Sequence, residues 1–125
     1  MSTYAATKSQ SAYRASSILT ATHGQLVVML YDGASRFLSQ ASVAMGEREV
    51  VAAHNKLTRA ENIIRHLRNT LDLEQGQIAE RLQSIYTFAL GHLRQARLDQ
   101  SPGKVDEVNE LLGKLRESWA AIAAE

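Results

Sequence analysis

Apolar residues recur along most of this chain in alternating steps of three and four, the period of a helix with one buried face. The pattern is unbroken through Val50, Ala53, Leu57, Ala60, Ile64, Leu67 and Leu71, a heptad seam that predicts a helix from about Glu47 to Leu71. Ahead of it, Thr22 followed by Gln25 fits a capping box, so a helix is expected from there to about Met45, ending near Gly46. A third starts near Glu74 to Gln77 and stops around Asp99. It carries Ile78, Leu82, Ile85, Ala89, His92 or Leu93, and Ala96 on one face. Ser101 and Pro102 then supply an N-cap and a first-turn proline. The fourth helix carries Val105, Val108, Leu112, Leu115, Trp119 and Ile122. Four helices of roughly 22 residues, each ~33 Å long, joined by short loops, run up-down-up-down. The expected fold is all-α, an antiparallel four-helix bundle forming a single domain over residues 22–125. Residues 1–21 are rich in Ser, Thr and Ala, with apolar residues too sparse for a core of their own. They read as a loosely held arm.

The width of each apolar face carries more information than its existence. The fourth helix confines its large apolar residues to an arc of roughly 120°, enough for one packed face. The first helix has two seams about 100° apart. Leu26, Leu30, Gly33, Phe37 and Ala44 form one; Val27, Tyr31, Ala34, Leu38, Ala41 and Met45 form the other. On the third helix, Ala79, Tyr86, Leu90 and Leu93 widen the face in the same way. We assign Leu30, Phe37, Leu57, Ile64, Leu67, Leu82, Ile85, Leu112, Leu115 and Trp119 to the core. The surplus faces then have two readings. Either flanking Leu and Ala fill the bundle edges, or the second seams form a groove for an amphipathic helix of another chain. Tyr31 and Tyr86 suit a groove, because a tyrosine offers apolar area and a polar tip at a wet boundary.

Composition narrows the function. The 125 residues are 45% hydrophobic with formal net charge +1, so bulk electrostatics favours neither nucleic acid nor a membrane surface. Cysteine is absent, which removes disulfides, thiolate nucleophiles and thiolate metal sites. No apolar run approaches the ~20 residues that span a bilayer, so no membrane insertion is expected, and no basic-then-apolar leader opens the chain. No Glu has a His three residues later, so the di-metal site common in such bundles has no ligand pattern here. His23, His54, His66 and His92 fall on different surfaces, and no Ser–His–acid spacing builds a triad. Neither an enzyme nor a cofactor is expected. Helix 2 holds Lys56 and Arg59 on one side of its seam and Arg65 and Arg68 on the other. That is the layout of flanking side chains whose stems cover the core. A nucleic-acid-associated or regulatory bundle using these basic flanks is the competing reading. Asp106, Glu107, Glu110 and Glu117 make helix 4 an expected electrostatic neighbour of helix 2.

Ala12-Tyr13, then Thr20-Ala21-Thr22-His23-Gly24-Gln25-Leu26, then Met29-Leu30-Tyr31-Asp32-Gly33-Ala34 follow one another along the chain. In that order and spacing they resemble the flagellin-specific export chaperone family, FliS. The likeness continues through Asn55, Ile63-Ile64 and Leu71-Asp72, then Tyr86 and Leu93, to Glu107-Val108, Leu111-Leu112 and Trp119. The chain departs from the family pattern at His23, where proline is usual, at Gln77, where one glycine of a pair stands, and at Gln10 and Ser11 in the arm. The resemblance implies a cytoplasmic protein that binds the carboxy-terminal helices of flagellin, prevents premature filament assembly and supports delivery to the flagellar type III export gate. On that implication the expected flagellin-binding residues are Tyr13, Ile18 and Leu19 of the arm with Val27, Tyr31, Leu38, Met45, Tyr86, Leu90 and Leu93 of the second seams. A client-free homodimer through the same grooves is a further expectation.

Overall fold

The first helix begins where its cap directs it: Thr22 Oγ1 accepts from the Gln25 backbone N–H at 3.2 Å, and Gln25 Oε1 accepts from the Thr22 N–H at 2.9 Å. The computed structural model describes residues 22–123, three side chains excepted. Within them run α1 (His23–Gly46), α2 (Val50–Asn69), a 3₁₀ turn (Leu73–Gln75), α3 (Gln77–Asp99) and α4 (Pro102–Ala123), with no strand among the described residues. The fold is all-α, a four-helix bundle. Around its square, α1 packs against α2 and α4, and α3 closes against the same two helices. Helices α1 and α3 therefore face each other across one diagonal, and α2 and α4 across the other.

Small residues set the spacing. Ala34 and Ala41 on α1, Ala53 and Ala60 on α2, and Ala89 and Ala96 on α3 are seven apart within each pair, and all six are fully buried. A seam of methyl groups lets helix axes approach closely, and larger side chains pack around it. Tyr31, Leu38, Leu57, Ile64, Tyr86, Leu93, Val105, Val108 and Leu112 are the large side chains that fill this centre.

The corner between α1 and α2 departs from the expected punctuation. Helix α2 starts at Val50, because Glu47 to Glu49 form the turn and Arg48 takes a left-handed φ of 61°. Gln100 does the same at the end of α3 with φ 51°. The neighbouring Gly46 and Gly103 lie within helices, and only Gly76, at φ 101°, uses the conformational freedom that favours glycine. Helix α4 opens on Ser101, whose Oγ accepts from the Lys104 N–H at 3.3 Å.

Polar pins hold the register between helices. Arg97 on α3 reaches three α2 residues: Glu61 at 2.6 and 3.1 Å, Thr58 at 3.4 Å and His54 Nδ1 at 3.1 Å. The Glu61 bonds raise the Arg97 pKa above its ordinary value. Between α1 and α4, the Ser35 hydroxyl donates to Asn109 Oδ1 at 2.7 Å, and Asn109 donates to the Ser35 carbonyl and Ser39 Oγ. Arg116 of α4 makes a two-pronged pair with Asp32 of α1 at 2.9 and 3.3 Å. The expected neighbourhood of the α4 acids and the basic residues of α2 is not formed, because α2 lies diagonally opposite α4. Glu107 pairs with His92 of α3 at 2.6 Å, where the imidazole also stacks on Phe88.

Candidate functional site

The two seams of α1 are oriented opposite to the sequence expectation. Val27, Tyr31, Leu38 and Met45 are buried in the core, together with Ala34 and Ala41. Leu30 and Phe37 are only half-buried. On α3 the same exchange occurs: Tyr86 and Leu93 are buried, Ile85 is half-buried, and Ile78 is 75% exposed. The reason lies in the phenols. Tyr31 and Tyr86 satisfy each other's hydroxyl groups by a direct hydrogen bond, so neither needs the wet boundary that placed them outside. Burial raises the pKa of both. On Tyr31 the Tyr86 bond, and then the Trp119 indole, temper that rise; on Tyr86 the Tyr31 bond adds to it.

Of the other assigned core positions, Leu57, Ile64, Leu67, Leu82 and Leu112 are buried, and Leu115 and Trp119 are half-buried against the core. Leu90, assigned to a groove, packs half-buried at the core margin. Tyr13, Ile18 and Leu19 lie outside the described residues.

The seam displaced from the axis faces α2, and there the surface is concave. Leu26, Val27, Met29, Leu30 and Gly33 of α1 and Leu67 of α2 line a hollow of about 800 Å³, rimmed by His23, Asp32, Arg36, His66 and Thr70, so Val27 of the expected groove seam, though buried, does reach the groove. Gly33 shapes its wall: a Cβ there would stand 3.4 Å from Ile63 Cδ1, so the missing side chain lets Ile63 lie close to α1. A second, shallower hollow of about 360 Å³ continues between the same helices toward the α1–α2 turn, with Val43, Ala44 and Ala52 in its lining. Phe37 stands between the two hollows along α1. Its ring is approached by Lys56 Nζ at 5.8 Å and by Arg59 Cζ at 5.6 Å, measured to the centroid. Together the two hollows and the Phe37 ring form an apolar track along the α1–α2 hairpin.

Leu26, Met29, Gly33, Phe37 and Ile63 thus form the candidate surface, and sequence reasoning had placed Leu26 and Phe37 on the inward seam. The signal that finds them is the alanine spacing. Heptad-spaced alanines on three helices mark the axis, so the bulky seam beside Ala34 and Ala41 must lie off it.

Chemically the track can bury an apolar stripe. Among the described residues no group of three or more His, Cys, Asp or Glu could hold a metal ion, and no helix is long and apolar enough to cross a membrane. Every buried side-chain nitrogen or oxygen among them is hydrogen-bonded.

Comparison with known proteins supplies the context. Residues 5–125 match the family described as "Flagellar protein FliS". The chain is 36% identical over 110 residues to the flagellar secretion chaperone FliS of Salmonella typhimurium strain LT2, covering 86% of this chain and 82% of that protein. It is 30% identical over 115 residues to the protein of the same name from Bacillus subtilis strain 168, covering 91% and 86%. The corresponding Vibrio cholerae protein is 31% identical over 111 residues, covering 88% and 82%.

Proposed function

Since the chain belongs to the FliS family of flagellar secretion chaperones, we propose that it binds the carboxy-terminal helical segment of flagellin. It keeps that segment from polymerising early in the bacterial cytosol and brings it to the flagellar type III export gate. The observation that carries this reading is the apolar track on α1 and α2, a hollow of about 800 Å³ that no other described part of the chain fills. A segment that polymerises through its apolar stripe self-associates unless the stripe is covered, and a groove between two helices covers a helix by offering it contacts on both sides. Ordering the client consumes about 2–5 kcal/mol of the gross contact energy, so an extended track serves better than one small pocket. Without client, two copies pair through the same face, which lowers the exposed apolar area.

Isothermal titration tests the reading. Intact flagellin gives a saturable complex, and flagellin lacking its carboxy-terminal segment gives none. Equal binding of the two overturns it. Sizing with and without flagellin reads the pairing.

A further inference from the structure

The α1–α2 track is flanked by charge of one sign at its middle. Lys56 and Arg59 lie over the Phe37 ring, and Arg36 lines the larger hollow one residue before it. None of the three has an ion-pair partner among the described residues. Asp32, on the rim of the same hollow, is committed to Arg116 of α4, and Glu61 of α2 to Arg97 of α3. Glu47 and Glu49 line the hollow toward the turn together with Lys56, and neither makes an ion pair with it.

Apolar burial is non-directional, so the track by itself would accept a helix in either direction and in several registers. Charge placement is what fixes register at such a surface. We propose that the occupant of this track is an amphipathic helix carrying carboxylates at its middle, and that Lys56, Arg59 and Arg36 fix its register by pairing with them. This deepens the client-binding reading and rests on it. Exposed ion pairs are individually weak. Two or three of them yield about a three- to tenfold preference, enough to select a register without dominating affinity.

The probes are two synthetic 18-residue helical peptides with the same Leu/Ala stripe, one bearing two central Glu residues and the other Gln at those places. The full chain binds the Glu peptide about three- to tenfold more tightly at low salt, and the preference shrinks as sodium chloride is raised. In a Lys56→Gln/Arg59→Gln double variant the ratio of the two affinities falls to the share that Arg36 alone supplies. Arg65→Gln, on the opposite flank of α2, keeps the preference. Equal affinities in the wild type, or binding of neither peptide, overturn the proposal. So does a 20-nucleotide single strand that displaces the Glu peptide with a steep salt dependence, the signature of phosphate binding. Titration of intact flagellin runs in parallel. Flagellin that binds while the two peptides are not distinguished removes the charge assignment alone, whereas flagellin that fails to bind removes the parent reading.

Discussion

Tyr31 of α1 and Tyr86 of α3 join their hydroxyl groups across the diagonal of the bundle, 55 residues apart in the chain and both 1% exposed. This bond gives the interior its only direct polar link between those two helices among the described residues, and it makes the two phenols dependent on each other. Removing one hydroxyl leaves the other buried without its partner, at about 1–3 kcal/mol. Tyr31→Phe and Tyr86→Phe should each lose stability in that range in urea unfolding. The double variant should lose less than the sum, because no orphaned hydroxyl remains; additive losses would show the two groups to be independent.

The same pair gives an alkaline signature. Burial raises both phenol pKa values above the ordinary value of about 10. The folded state therefore holds its phenolic protons where the unfolded chain has lost them. Stability from this source is fully present below about pH 10 and falls as pH rises above it. Unfolding free energy measured from pH 8 to 11 should decline more steeply in the wild type than in the Tyr31→Phe/Tyr86→Phe variant. Parallel curves would assign the decline to other groups.

Glu61 is buried, and Arg97 supplies its counter-charge through two hydrogen bonds. Arg97→Ala should destabilise by about 3 kcal/mol, because it strands a carboxylate inside the bundle. The companion change Glu61→Leu should recover most of the loss. A thermal melt of the two variants decides it: no recovery would mean that Arg97 acts through His54 and Thr58 instead.

Leu38 and Phe37 are adjacent in sequence and differ in fate. Leu38 is fully buried, so Leu38→Glu should unfold the bundle by placing an unpaired carboxylate in its centre. Phe37 is half-buried on the track, so Phe37→Gln should keep the circular-dichroism spectrum with a modest loss in melting temperature while weakening flagellin binding about tenfold or more. Equal melting of the two variants would mean that the two seams of α1 are equally enclosed.

The parts of this structure legible in the sequence are those decided within a few residues. The Thr22–Gln25 box and the Ser101 cap are hydrogen bonds spanning three residues, and the heptads of α2 fix its buried face without reference to any neighbour. What the sequence did not disclose depends on distant partners. Tyr31 is inside because Tyr86 is there to meet it, and Glu61 is tolerated in the interior because Arg97 arrives from another helix. Once Tyr31 turned inward, Leu30 and Phe37 had to turn toward α2, so one long-range pairing reversed the reading of a whole helix. The start of α2 differs for another reason: Glu47 to Glu49 form the turn, with Arg48 in the left-handed conformation, so the helix begins at Val50.

The order of the helices around the square has a kinetic consequence. Three of its four sides join helices that follow one another in the chain, so those hairpins form quickly from local contacts. The fourth side, α1 against α4, closes a loop of some 74 residues, the separation between Ser35 and Asn109. On the ribosome, α1, α2 and α3 are made before α4, and at ~5–20 residues per second the interval lasts seconds. Throughout it the core shared by all four helices, Ala34, Leu38 and Tyr86 among its members, lacks Val105, Val108 and Leu112. A protein that shields the sticky segment of another thus passes, during its own synthesis, through a state with the same need.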